Sequence, residues 1–160
     1  MKNTLSTLVL LFISTVGLLA QTDTSKPMFK DAKLGAAYGT YVSLKDALVA
    51  SKGDAAKEAA AKLQTTLSVI KNSEKASEQA GKVASAADLN TARKAFATLS
   101  TEMASLVKGG QLSAGALYLE YCPMANNNTG AYWLSNEKEI KNPYFGDKML
   151  KCGSVKETIQ

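Results

Sequence analysis

Apolar residues recur at helical spacing along most of the chain. Leu34, Ala37, Tyr38, Tyr41, Leu44 and Leu48 line one face and predict a helix from about Lys30. Lys52 and Gly53 suit its C-terminus, glycine because it accepts a left-handed backbone without steric cost. Asp54 then offers an N-cap, and Ala56, Ala60, Leu63, Leu67 and Ile70 mark a second helix ending near Asn72. Residues 73–87 are polar, small and weakly periodic, and read as a long connection with room for a short helix. Asp88 is a further N-cap before the seam of Leu89, Ala92, Phe96, Leu99, Met103 and Leu106, which Gly109-Gly110 is expected to terminate. No such helix buries its stripe alone, so the pattern predicts a mainly α fold: a three- to four-helix antiparallel bundle.

The pattern changes after Gly110. Leu117, Leu119 and Tyr121 alternate with Tyr118 and Glu120, and Ala131 to Leu134 is similarly strand-like. Asn126-Asn127-Asn128-Thr129-Gly130 between them is a turn signal, which predicts a small C-terminal β-hairpin. Residues 136–160 are expected to form an irregular cap with one helical turn around Asp147 to Leu150.

The first twenty residues read differently from the rest. Lys2 precedes an uncharged, mostly apolar stretch from Leu5 to Leu19, and Ala20 is a small residue at a cleavage edge, so residues 1–20 read as a signal peptide. No cysteine stands at that edge to direct lipoprotein processing. Residues 21–29 are then expected to be a disordered leader, and 30–160 a single domain with no stable membrane span after cleavage. The expected localisation is exported and periplasmic. The formal charge of +5 sits on lysines interspersed with acids along helix faces, without the basic cluster that nucleic-acid binding needs.

The chain has no histidine, which removes histidine triads, histidine acid–base catalysis and histidine metal sites. No phosphate loop or nucleophile elbow is present either, and Glu137 and Glu139 are expected to be solvated rather than a catalytic pair. The expectation is a non-enzymatic protein. Its chemistry concentrates in the C-terminal third, which holds both cysteines, Cys122 and Cys152, and the only tryptophan.

Four segments there carry a resemblance: Tyr121-Cys122-Pro123-Met124-Ala125, Ala131-Tyr132-Trp133-Leu134-Ser135, Ile140-Lys141-Asn142-Pro143-Tyr144-Phe145-Gly146 and Lys148-Met149-Leu150-Lys151-Cys152-Gly153. In this order and spacing they resemble an uncharacterised domain family of Gram-negative bacteria. That family occurs as small exported proteins and as the C-terminal domain of periplasmic adaptor subunits of heavy-metal efflux systems. The resemblance covers roughly Leu34 to Gly153. It implies a heavy-metal context, copper or silver, and an efflux adaptor as partner. Cys122-Pro123-Met124 also looks like the core of small heavy-metal-binding domains, but Ala125 stands where they carry histidine.

Two readings of the sulfurs stay open. Thiolate and thioether donors are soft and favour copper(I) or silver(I) over hard cations, so Cys122, Met124, Met149 and Cys152 form a candidate ligand set if the tail folds back on the hairpin. In an oxidising compartment the same cysteines can form a disulfide worth about 3–4 kcal/mol in a chain-entropy treatment. The domain is then a stapled interaction module, with Tyr132, Trp133, Tyr144 and Phe145 as its candidate partner surface, against the first expectation for these rings, which is packing under the C-terminal segment.

Overall fold

The computed structural model describes residues 26–160. The expected signal peptide and most of the leader lie outside the described residues. The leader's end is corrected: Met28–Phe29 form a short strand, β1. It pairs antiparallel with Leu112–Ala114, here β2, which the sequence did not suggest.

The fold is mainly α. Its four long helices are α1 (Ala32–Val49), α2 (Gly53–Leu67), α3 (Glu74–Ala84) and α4 (Leu89–Gly110), each packed against the next in sequence. Asp31 caps α1 by accepting the Lys33 N–H at 2.8 Å, and Asp88 caps α4 by accepting the Thr91 N–H at 2.8 Å. The predicted faces are the buried ones, from Leu34 to Leu48 on α1 and from Ala92 to Met103 on α4.

Four boundaries differ from expectation: α2 ends at Leu67 rather than near Asn72, leaving Ile70 in the connection that follows, and the other three have local causes. Ser51, not Gly53, takes the left-handed position after α1 (φ 55°). Gly53 instead opens α2, which places Asp54 in the first turn and not at the cap. Gly109 and Gly110 lie inside the last turn of α4, and Gln111 ends it at φ 50°. Gly110 is a packing glycine, since a Cβ there would stand 2.1 Å from the Leu34 side chain. Residues 73–87, expected as a connection with room for a short helix, hold α3, whose Ala76, Ala80 and Val83 are buried at helical spacing.

Strand β3 (Leu117–Cys122) is the centre of a three-stranded antiparallel sheet, between β4 (Ala131–Ser135) and β5 (Ser154–Ile159). Its register sets Glu120 opposite Trp133 and Cys122 opposite Ala131. Strand β5 replaces the irregular tail that was expected, and the helical turn before it is a 3₁₀ turn, Gly146–Met149.

Tyrosines cover the free edge of β4, which would otherwise present unpaired backbone groups. The Tyr41 hydroxyl on α1 accepts the Leu134 N–H at 3.1 Å and also bonds the Ser100 hydroxyl at 2.8 Å on α4. The Tyr144 hydroxyl donates to the Tyr132 carbonyl at 2.5 Å. Both rings belong to a continuous run of aromatic contacts, Phe29–Tyr38–Tyr41–Phe96–Tyr144–Trp133, with neighbouring centroids 5.2 to 6.1 Å apart. This run joins the helices to the sheet. Tyr41→Phe is expected to cost about 1–2 kcal/mol, because it keeps the ring and leaves the buried Leu134 N–H without an acceptor. Urea unfolding followed by circular dichroism measures it.

Candidate functional site

The site grows from the end of β3. Cys122 closes the strand because Pro123 follows, and proline has no N–H to continue the ladder. The chain then turns through Ala125–Asn128, where Asn126, Asn127 and Asn128 are successively left-handed at φ 50°, 56° and 63°. Asparagine tolerates this conformation better than most residues with a Cβ.

Cys152 comes to the same place from the other side. Its N–H donates to the Met149 carbonyl at 3.0 Å, ending the 3₁₀ turn. Its own carbonyl accepts from the fully buried Asn142 side chain at 2.7 Å. Asn142 also accepts the Tyr144 N–H at 2.7 Å, so one carboxamide fixes both the aromatic corner and the cysteine backbone. Gly153 follows at φ 144°, where a Cβ would stand 2.8 Å from the Trp133 ring and 3.1 Å from the Tyr121 carbonyl. Only glycine lets Cys152 lie this close to the sheet.

The tail therefore folds back, and the two thiols meet. Both cysteines are free; Cys122 is buried and Cys152 partly exposed, and the two thiols are close enough for Cys122 to bear on the Cys152 proton. Burial, reinforced by the Cys122 thiol, pushes the Cys152 thiol up to about 11, against an opposing pull from the Met124 main-chain N–H. The Met124 main chain is therefore beside Cys152, and the residue is 46% exposed. Met149 is half-buried in the turn that leads to Cys152. Among the described residues, no three Cys, Asp or Glu side chains are grouped to hold a metal ion.

The expected partner surface is corrected. Trp133 is completely buried and Tyr144 nearly so, because they end the aromatic run and pack under Asn142 and Gly153. Phe145 is half-buried, and only Tyr132, 39% exposed, faces outward. Glu137 and Glu139 are exposed and ion-paired with Lys141 and Lys151.

Sequence reasoning passed over Glu120. It alternates with apolar neighbours as a solvent-facing residue would, yet its side chain is completely buried. It shares a sheet face with Cys122, two positions along, and faces the Trp133 indole. Neither carboxyl oxygen has a hydrogen-bond partner, and neither does the indole N–H beside them. Burial pushes the Glu120 carboxyl up to about 7, opposed by the Lys45 ammonium on α1 and the nearby indole N–H. The available signal was the strand itself: Leu-Tyr-Leu-Glu-Tyr-Cys offers both faces to the interior, as a central strand does.

No helix among the described residues is long and apolar enough to cross a membrane. No curated protein and no solved structure matches the chain. A family model described as a protein of unknown function, DUF3347, matches residues 37–115, which run from α1 to the end of the β1–β2 pairing and stop short of Cys122. The chain is thus similar to that family across its helices, whereas the thiol pair lies in the part that the match does not cover.

Proposed function

We propose that this chain is a non-enzymatic exported binding protein that takes a soft monovalent cation, copper(I) or silver(I), between Cys122 and Cys152. The juxtaposition of two free thiols, one buried and one reachable from solvent, carries the reading. Two sulfur donors suit a soft d¹⁰ monovalent ion, which accepts a nearly linear pair of thiolates, and do not make the four-ligand shell of structural zinc. Met124 and Met149, two and three positions from the cysteines in sequence, are the candidate auxiliary thioether donors. The export in this reading rests on residues 1–20. The association with a heavy-metal efflux adaptor rests on the resemblance of the C-terminal segments.

Copper(I) competition against a chromophoric chelator, on the reduced chain, tests the proposal. One equivalent is expected to bind, with affinity falling about tenfold or more in both Cys122→Ser and Cys152→Ser. Affinity is expected to rise with pH, because the metal must displace thiol protons and burial holds the Cys152 proton tightly. Equal weak binding by the parent chain and both variants would overturn it.

The same juxtaposition favours a second reading, in which oxidation joins the thiols into a staple for a protein-interaction module. Of its four docking aromatics, only Tyr132 is exposed enough to serve. Thiol counting on denatured exported protein separates the two: two reactive groups favour the metal site and none favours the staple.

A further inference from the structure

A cavity of about 670 Å³ separates the start of α4 from the left-handed turn after β3. That is room for a small organic molecule rather than a bare ion. Arg93, Lys94 and Lys148 line it, and no aspartate or glutamate does. None of these three cations makes a salt bridge among the described residues.

Arg93 is anchored without being neutralised. Its guanidinium donates to the Pro143 carbonyl at 2.8 Å, the Leu48 carbonyl at 3.0 Å and the Ser51 hydroxyl at 3.0 Å, all uncharged acceptors. The acid that acts on it, Asp147, does so from outside the cavity lining. A half-buried cation fixed in place by neutral groups is preorganised for an anion, because its geometry is set before the ligand arrives. Asp88 already caps α4, so the helix end adds nothing to this argument.

The opposite wall is Asn126, Asn127 and Asn128. Their side chains are exposed, and none has a hydrogen-bond partner among the described residues. The three successive left-handed residues keep these carboxamides together on the turn, where they can donate to oxygen acceptors. Met124, Tyr144 and Phe145 supply an apolar floor.

We infer that this cavity is a binding site for a small organic dianion bearing carboxylate or phosphate groups. The cations neutralise the charges, the asparagines bond the oxygens, and the floor accepts a short carbon chain. The site goes beyond the thiol pair: it shares Met124 with that reading's candidate donors, but its cations and carboxamides lie outside it and neither Cys122 nor Cys152 lines the cavity.

Titrations with succinate and with inorganic phosphate, followed by NMR of the asparagine side-chain amides, test the inference. Saturable shifts at Asn126, Asn127 and Asn128 are expected, half-complete below about 1 mM for the better probe. Stronger binding of succinate identifies a dicarboxylate site, and stronger binding of phosphate a phosphate-ester site. The double variant K94E/K148E is expected to weaken binding about tenfold or more. The charge-matched control K33E/K71E, on distant exposed lysines, is expected to leave it within about twofold. Absence of saturable shifts with both probes, or equal weakening by both double variants, would overturn the inference.

Discussion

Trp133→Ala is expected to destabilise the protein by about 3–5 kcal/mol, a large share of a small domain's stability. The side chain is completely buried and ends the aromatic run that ties α1 and α4 to the sheet. Its ring meets Tyr144 at 5.9 Å in an edge-on contact and lies under Gly153. The cavity left by alanine cannot close by moving Gly153, because Asn142 fixes the adjoining Cys152 carbonyl. Trp133→Phe is expected to cost much less, about 1–2 kcal/mol, since it retains most of the ring and its lost N–H has no partner to orphan. Urea unfolding by circular dichroism checks both, as neither variant keeps the tryptophan for fluorescence. Equal stability of Trp133→Ala and the parent chain would mean that the sheet is not tied to the helices through this ring. A change of this size is also expected to weaken the thiol pair's geometry, because Trp133 and Cys152 share the support of Gly153.

The helical stripes were legible because large apolar residues stand out against lysine-rich faces. Leu44, Leu48, Phe96 and Leu99 are each wholly buried, and each was placed on an inward face by spacing alone. Helix α3 was only faintly legible, as room for a short helix, because alanine supplies most of its buried stripe and contrasts weakly with serine and glycine. Strand β5 escaped for a different reason. It is an edge strand with mostly exposed side chains, so its place is set by backbone pairing to β3, which leaves little mark in hydropathy. At the site, the two cysteines could be suspected of meeting from their number alone. What brings them together was hidden, because the roles of Asn142 and Gly153 depend on groups distant in sequence. For the aromatic segments the packing reading holds and the docking reading does not, because density of Tyr, Trp and Phe marks a core as readily as an interface.

Glu120→Gln is expected to stabilise the protein above neutral pH and to leave it nearly unchanged near pH 5. The folded carboxyl titrates at about 7, above its ordinary value of 4.5, because burial penalises the charged form. Below pH 4.5 the folded and unfolded chains both hold this proton. Between there and about 7 the unfolded chain releases it while the folded chain retains it, so this group's contribution falls as pH rises. Above that window the fold carries a buried carboxylate with no hydrogen-bond partner, at a cost of about 2–3 kcal/mol relative to the acid form. The groups facing it divide in sign: Lys45 on α1, the Trp133 N–H and Lys141 favour the charge, in that order, and Glu137 opposes it. Glutamine has the same shape and stays neutral, so the difference between the two proteins' urea midpoints should grow from pH 5 to pH 8. A constant difference would show that Glu120 does not change protonation on unfolding in that range. The same charge bears on the thiols, since Glu120 and Cys122 share one face of β3. A cation held by two thiolates leaves a net negative centre, and a carboxylate two positions away repels it where a neutral carboxamide does not. Glu120→Gln should therefore bind copper(I) more tightly than the parent chain at pH 8; equal binding would separate the buried acid from the thiol chemistry, and weaker binding would mean that its charge assists the site.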